Sequence, residues 1–408
     1  MLNLFLSAGE PTTGNVPSRW MPPYSSSGLG IDSLRLATVI TPDVAEETRA
    51  IFLQTLIAAV DEKNAASSDR QRAASEPREL QAAAERRWDL DIWELKGAPD
   101  TWGEQLHAWQ RKTPVFALLS GLGDGAWEPV QQFCETLQLP CWFPSLLAPP
   151  ADADTAAYSL YFSQGTRLEA RVLAQALRAR LAAGGALTQL VGAGYAASAG
   201  ALELAAALPA TVRAVSQAFA GTGEMRACLE SMRAEDALVL WLAPNELAAL
   251  AQLPPPLAAG FASSVLVHAQ LEHLPASWRG ALQWVHLYEL PLRRTGGTAT
   301  LHSWIGSHGL PLADDVLQSE VLFATQYLRY TLAAMHDKVS RNRLIKSGER
   351  LLRADSVIGY SATMYPRLQL APGEHCAVRG AYLVRSADGA PGHPAPDHGW
   401  VAARMIES

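Results

Sequence analysis

Long apolar runs are missing from this 408-residue sequence. No stretch reaches the ~18 continuous apolar residues that a bilayer-crossing helix needs, so no membrane span is expected. An excess of positive charge is missing too. The 33 Lys and Arg face 40 Asp and Glu, for a formal charge of -7, and the basic residues are scattered, which argues against the concentrated cationic surface nucleic acid requires. Their densest group, Lys338 to Arg353, follows a helical pattern and reads as a solvated helix face. Cysteine is scarce: Cys134, Cys141, Cys228 and Cys376 form no C-x-x-C, no C-x-x-C-H and no Cys/His pair at metal-ligand spacing. Cys134 and Cys141 fall on a helix and the strand after it, which suits two buried apolar thiols or one disulfide. No G-x-S-x-G is present to form the nucleophile elbow of a hydrolase. Met1 to Gly9 has one apolar patch but neither a basic n-region nor a cleavage site, so no signal peptide is read there.

What is present is a hydrophobic content of 49% with 18% charged residues, in a chain long enough for two cores. Residues 1 to 33, rich in Pro, Ser and Gly, read as a linker or surface arm. Strand Leu34–Ile40 leads into a helix from Val44 to about Ala66. A polar Ser67–Arg87 segment reads as a surface helix or an irregular insertion. Then come strand Leu90–Leu95, helix Asp100–Arg111, the continuously apolar strand Pro114–Ser120, helix Trp127–Leu137, and strands Cys141–Pro144 and Tyr158–Ser163. A second series follows: helix Arg167–Ala182, strand Leu187–Val191, helix Ala196–Ala207, strand Val212–Ala218, helix Glu224–Met232, strand Ala237–Leu242, a short helix from Asn245, and strands Ser264–Ala269 and Leu282–Leu290. Strands alternating with helices imply right-handed βαβ units and parallel sheets. Two runs predict an α/β protein of two doubly wound, Rossmann-like lobes. Asp314–His336 is a long helix with Leu317, Val321, Thr325, Leu328 and Leu332 on one face, capped by Asp314-Asp315. Packed back on the first lobe, it would make the chain cross between lobes several times. The expected division is 34–165 plus about 295–345 for the first lobe, 166–294 for the second, and 346–408 returning to the hinge and second lobe, ending in a flexible tail.

The most enzyme-like motif is Val191-Gly192-Ala193-Gly194-Tyr195-Ala196-Ala197, which follows a strand and opens a helix as a dinucleotide-binding turn does. The acidic residue expected about 20 positions on is absent from Ala214–Gln217. A tight strand-to-helix turn facing a cleft is the reading adopted, with a nucleotide-dependent enzyme as the alternative. Ser120 ends a strand where open α/β sheets bind ligands, and no His in its lobe is placed to activate it. It is either a hydrogen-bond donor to a ligand or a turn residue. Trp127, after the Gly121–Gly125 loop, is either core or an aromatic wall of the cleft. His268 and His286 lie in apolar strands and read as core residues. His302 and His308, in a Gly-rich loop, make too sparse a set for a metal. Asp152 and Asp154 read as solvated surface.

Several segments resemble the type I periplasmic solute-binding proteins, the class of branched-chain amino acid and amide receptors. Thr38–Ala66 is similar to that family's first strand and long helix, Pro114–Ser145 to its third and fourth strands, and Tyr158–Leu177 to its Y-x-F strand and the first helix of its second lobe. Met364–Arg385 resembles the end of a subgroup that occurs behind c-type cytochrome domains and near quinoprotein dehydrogenases; residues 1–33 would then be the link to a missing cytochrome domain. The family's Gly-Gly is replaced by Ala66-Ser67-Ser68, and its amino-group anchor loop reads Gly194-Tyr195-Ala196, which departs from the amino-acid-binding pattern. The resemblance implies a periplasmic, non-catalytic receptor without cofactor or metal, serving an ABC-type permease, a sensor or a cytochrome–quinoprotein system. A small polar ligand would meet Ser120, Gly121, Gly123, Trp127, Pro144 and Ser145 in the first lobe. Tyr195, Thr222 and Asn245 would close on it from the second. A degenerate lobe pair acting only as a scaffold is the remaining alternative.

Overall fold

Strand β1 (Ser33–Ile40) is buried along almost its whole length, as befits a central strand covered on both faces. It belongs to a computed structural model that describes residues 27–30, 32–73, 85–219, 222–290, 295–335, 339–354, 363–386, 394–396 and 400–402. Helix α1 (Glu46–Ala73) follows, with Glu46 and Glu47 at its positive end. It outruns the expected end at Ala66 because the Ala/Ser/Arg sequence beyond contains no helix breaker; part of the expected insertion, 74–84, lies outside the described residues. Strand β2 (Arg87–Glu94) pairs in full register with β1, from Ser33 opposite Arg87 to Ile40 opposite Glu94. Next come α2 (Trp102–Lys112), β3 (Ala117–Leu119), β4 (Leu122–Gly123), α3 (Glu128–Leu137), β5 (Cys141–Trp142), β6 (Ser145–Leu146) and β7 (Ser159–Leu160). Expected strands Pro114–Ser120 and Cys141–Pro144 are each broken by a left-handed residue, Ser120 at φ 54° and Phe143 at φ 53°, so β4 and β6 continue β3 and β5 after a kink. All pairings are parallel, and the physical order is β2, β1, β3/β4, β5/β6, β7. Cys134 and Cys141 are buried free thiols.

The second lobe repeats this arrangement. It contains α4 (Thr166–Ala182), β8 (Leu187–Val191), α5 (Tyr195–Ala207), β9 (Ala214–Ala218), α6 (Thr222–Glu230), β10 (Ala237–Trp241), α7 (Pro244–Ala249), β11 (Ala259–Ser263) and β12 (Leu282–His286). Its parallel strands lie in the order β9, β8, β10, β11, β12. The expected strand Ser264–Ala269 is instead a turn. Glu169 on α4, fully buried, accepts hydrogen bonds from the backbone N–H groups of Ser264 and Val265 (2.9 and 3.1 Å) and from the hydroxyls of Ser263 and Ser264, ending the strand at Ser263. His268 and Ala269 then turn through left-handed conformations.

Helices α8 (Thr295–Ser307), α9 (Asp315–Ala334) and α10 (Arg341–Arg353) pack on the first lobe. The stretch around His302, expected as loop, is helix α8, with His308 just beyond its end. Helix α9 is buried on nearly all sides, and Asp314 caps it by accepting from Leu317 N at 2.9 Å. Trp142 stacks on Tyr327 at 5.4 Å and donates to Ala324 O, so β5 and α9 are joined by both packing and a hydrogen bond. The basic Lys338–Arg353 run is not wholly solvated. Arg341 is buried and donates to Val115 O at 2.6 Å and Phe116 O at 3.0 Å, satisfying carbonyls ahead of β3. Finally β13 (Gly380–Ser386) joins β12 antiparallel and carries β14 (Pro394–Pro396) and β15 (Val401–Ala402).

The chain therefore passes between lobes three times, between β7 and α4, between β12 and α8, and between α10 and β13. Two of these passages meet at Tyr161 and Phe162, which exchange backbone hydrogen bonds with His375, Ala377 and Val378. Glu289 N donates to Met364 O, tying the other passage in. Asp154, expected at the solvated surface, accepts from Cys376 N at 3.1 Å and braces this hinge.

Candidate functional site

Both sheets have the order second, first, third, fourth, fifth, in which the direction of winding reverses between the first and third strands. In open α/β sheets ligands bind at such a reversal, outside the carboxyl ends of the strands. In the first lobe that position holds Thr41–Asp43 after β1 and Ser120–Gly125 after β3, joined where Thr41 N donates to Leu122 O at 3.0 Å. In the second it holds Gly192–Gly194 after β8 and Leu242–Ala243 after β10.

Contacts bridge the two lobes at this level. The Tyr195 hydroxyl at the start of α5 donates to Glu128 at the start of α3. Arg167 on α4 donates to Pro149 O of the first lobe at 3.1 Å and to the Tyr195 hydroxyl at 3.3 Å, while also pairing with Glu203. His268 Nδ1, in the turn after β11, stands 2.7 Å from Asp314 Oδ2 at the start of α9. These bonds tie the two lobes together at this level.

Within the first-lobe loop the side chains are closely fitted. A Cβ on Gly121 would lie 2.9 Å from Trp127 Cη2, and one on Gly123 would lie 3.1 Å from Trp127 Cε3 and 3.0 Å from Thr41 Oγ1. The two glycines let the loop fold down on the indole. Trp127 is consequently fully buried, in the cluster that includes Trp93, Trp102 and Phe133. Asp43 accepts from the Thr41 hydroxyl and fills the space beside Gly125. Around this loop Ser120 Oγ and Trp127 Nε1 are buried with no hydrogen-bond partner among the described residues, while the Ser145 hydroxyl interacts with the carboxyl group of Glu320. Pro144 stands beside Gly121, its Cβ in van der Waals range.

The charge in this region is acidic. Asp124 has its pKa pushed up to about 6, by burial first and by the neighbouring Asp43, with His268 opposing. Glu320 on α9 is buried, which raises it to about 7 despite the hydrogen bond from Tyr365 at 2.6 Å. For His268, burial works against the imidazolium, yet the bond to Asp314 and the charges of Asp314, Asp124 and Glu320 lift its pKa to about 9. His268 is therefore a charged bridge between lobes rather than a neutral core residue; His286, by contrast, is buried in β12.

The glycine turn after β8 is already occupied. Glu246 Oε1 accepts from Ala193 N at 2.7 Å and Oε2 from Ala243 N at 2.8 Å. A carboxylate so placed caps the backbone N–H that a pyrophosphate would use and repels a second anion. Glu246 packs directly on Gly192, where a Cβ would lie 1.9 Å from Oε2 and would have to push the carboxylate aside.

No family model matches the chain, and no curated protein matches it in sequence. Solved structures do match in shape. A periplasmic binding protein type 1 from Bordetella pertussis Tohama I superposes with TM-score 0.60 over 90% of this chain and 100% of its own, at 12% identity. The chain has the type I periplasmic binding protein fold. A branched-chain amino acid ABC transporter protein from Thermus thermophilus with bound valine gives TM-score 0.61 at 11% identity, over 91% and 97% of the two chains. The solute-binding protein of an R. palustris ABC transporter in complex with benzoate gives 0.58 at 15%, again over 91% and 97%. The two-lobed architecture expected from the order of elements is the one observed.

In this fold the expected contact residues fall as follows. Ser120, Gly121, Gly123, Trp127, Pro144 and Ser145 are gathered around one loop of the first lobe, and Tyr195 faces them through Glu128. Asn245 is exposed at the start of α7, and Thr222 is half-buried at the start of α6; no hydrogen bond among the described residues ties either to the first lobe. The structure adds Thr41, Asp43, Asp124, Glu128 and Glu246 to the neighbourhood of these candidates, and gives Asp314 a contact with His268 besides its capping role. The T-P-D after the first strand and the Asp inside GLGDG were the available signals.

Proposed function

We propose that this chain is a non-catalytic receptor that closes its lobes on a small polar solute carrying no net negative charge. It would hand the solute to an ABC-type permease or a sensor outside the cytoplasmic membrane. The observation that supports this reading is the pair of strand-order reversals, one holding the buried, unpartnered hydroxyl of Ser120, joined by direct lobe-to-lobe bonds through Tyr195 and His268. Asp43, Asp124, Asp314 and Glu320 surround this level, while its cations, His268 and Arg167, are already engaged by Asp314 and Glu203. An amine, amide or alcohol suits that setting better than a carboxylate. Valine and benzoate are named with two proteins of similar shape, which supports small-solute binding and leaves specificity to the residues just described.

The nucleotide-enzyme alternative loses its main support to Glu246, which takes up the glycine-turn N–H. A cytochrome or quinoprotein partner rests only on the likeness of Met364–Arg385, a stretch that here builds the hinge and β13. A thermal-shift screen with amines, amides, alcohols, simple carboxylates, NAD and FAD tests the proposal. Binding at 100 times Kd stabilises by about 2.7 kcal/mol, a readily measured rise in Tm. Stabilisation by amines or amides is expected. A dinucleotide alone would sink the receptor reading, carboxylates alone would sink the charge assignment, and no shift from any class would favour a scaffold.

A further inference from the structure

A cavity of about 780 Å³ lies on the hinge, away from the loops at the strand-order reversals. Its lining draws on both lobes and on the passages between them: Arg353 from α10 of the first lobe, Tyr382 and Trp400 from the second, Glu289 from one passage, and Arg367 and Arg379 from another. Three guanidinium groups and one carboxylate line it directly, with Glu349 and Glu374 placed behind Arg353 and Arg379.

Two of the arginines, Arg379 and Arg353, are held in place by carboxylates. Glu374 grips Arg379 through Nε at 2.6 Å and Nη2 at 2.7 Å, and Glu349 holds Arg353 through Nη2 at 3.1 Å. A guanidinium has five N–H donors, so the second terminal nitrogen of Arg379 and most of Arg353 have no partner among the described residues. The aromatic wall is built as well. Gly380 lacks the Cβ that would lie 2.7 Å from Trp400 Nε1, so the indole settles on β13. There it meets Tyr382 edge to face at 4.9 Å while remaining 38% exposed.

We propose that this cavity is a second small-molecule site, for a flat organic anion such as an aromatic dicarboxylate. Arginine forks match carboxylates in a bidentate manner, and the rings offer a face for stacking. Because both lobes and two passages line it, an occupant would hold the hinge in one geometry and bias the cleft from behind. The inference does not depend on what the cleft binds.

Isothermal calorimetry of the full chain with isophthalate tests it. Saturable one-to-one binding is expected, weakened about tenfold or more by Arg379→Gln and by Arg353→Gln. Cyclohexane-1,3-dicarboxylate, which lacks the flat ring, should bind more weakly, and Trp400→Ala should erase that difference. Trp400 is exposed, so this variant keeps the test valid even where an arginine variant fails to fold. Ser145→Ala, in the cleft, should leave isophthalate binding unchanged. No heat of binding up to about 10 mM, or binding that Ser145→Ala abolishes, or binding that the arginine and Trp400 variants leave intact, overturns the proposal.

Discussion

His268 Nδ1 in the second lobe and Asp314 Oδ2 in the first stand 2.7 Å apart, and the same Asp314 caps helix α9. One carboxylate thus starts a core helix and holds the opposite lobe. With the His268 pKa raised to about 9 from 6.5, the pair contributes stability that is complete below pH 6.5 and lost as pH rises through 9. Asp314 is lowered, with burial opposing and His268 favouring its charge, so its share is lost only in acid, as pH falls below the ordinary carboxylate range. In urea titrations the wild type should exceed His268→Gln by on the order of 2 kcal/mol near pH 6. The gap should close by about pH 10; one that stayed constant would refute the ionic assignment.

Tyr195→Phe removes the hydroxyl that links Glu128 and Arg167 across the cleft mouth. The bond is exposed, so global stability should fall by no more than about 1 kcal/mol. The lobes should nevertheless spread, which small-angle X-ray scattering would register as a larger radius of gyration. An unchanged scattering curve would mean that Tyr195 plays no part in closure.

Gly121→Ala places a methyl group against Trp127 at a residue whose φ is 144°. Overpacking and backbone strain together should cost about 2–4 kcal/mol in denaturant unfolding. Gly223→Ala, where a Cβ meets nothing within 4 Å, is the matching control and should cost far less.

Glu169→Ala leaves two buried backbone N–H groups and two serine hydroxyls of the β11 turn without their acceptor. A loss of about 3 kcal/mol or more is expected. Because this turn carries His268, the pH dependence described above should flatten as well. Burial raises the Glu169 pKa to about 8 against the pull of those donors.

Glu246→Ala exposes the N–H groups of Ala193 and Ala243 at the glycine turn. The fold should lose about 1–2 kcal/mol. Inorganic phosphate should stabilise the variant more than the wild type, which carries a carboxylate there; equal stabilisation of both would show that Glu246 does not guard the turn.

The layout of the fold was legible because its determinants are local. LRLATVI and PVFALLS are apolar runs of strand length, and Asp314 precedes a helix with its apolar face at the right period. What escaped was decided across long sequence distances. The apolar stretch Ala259–Ala269 does not reveal where its strand ends, since Glu169, far upstream, sets that point. His268 reads as core until the fold brings Asp314 to it, and Arg341 reads as surface until the carbonyls of Val115 and Phe116 are known to need it. Of the candidate site, Ser120, Gly121 and Gly123 are legible from the switch-point rule, whereas the approach of Thr41, Asp43 and Asp124 to them depends on the pairing of β4 with β1.

The repeated passage of the chain through the hinge also bears on biosynthesis. The parallel strands of the second lobe come from one uninterrupted stretch, Leu187 to His286, whereas the first sheet waits for α9 and α10 to cover it. Domains usually mature in the order in which they leave the ribosome. Here the half that emerges first remains unfinished until residues beyond 315 arrive, and the second sheet in turn waits for β13 to join β12, so neither lobe is complete before nearly the whole chain has emerged.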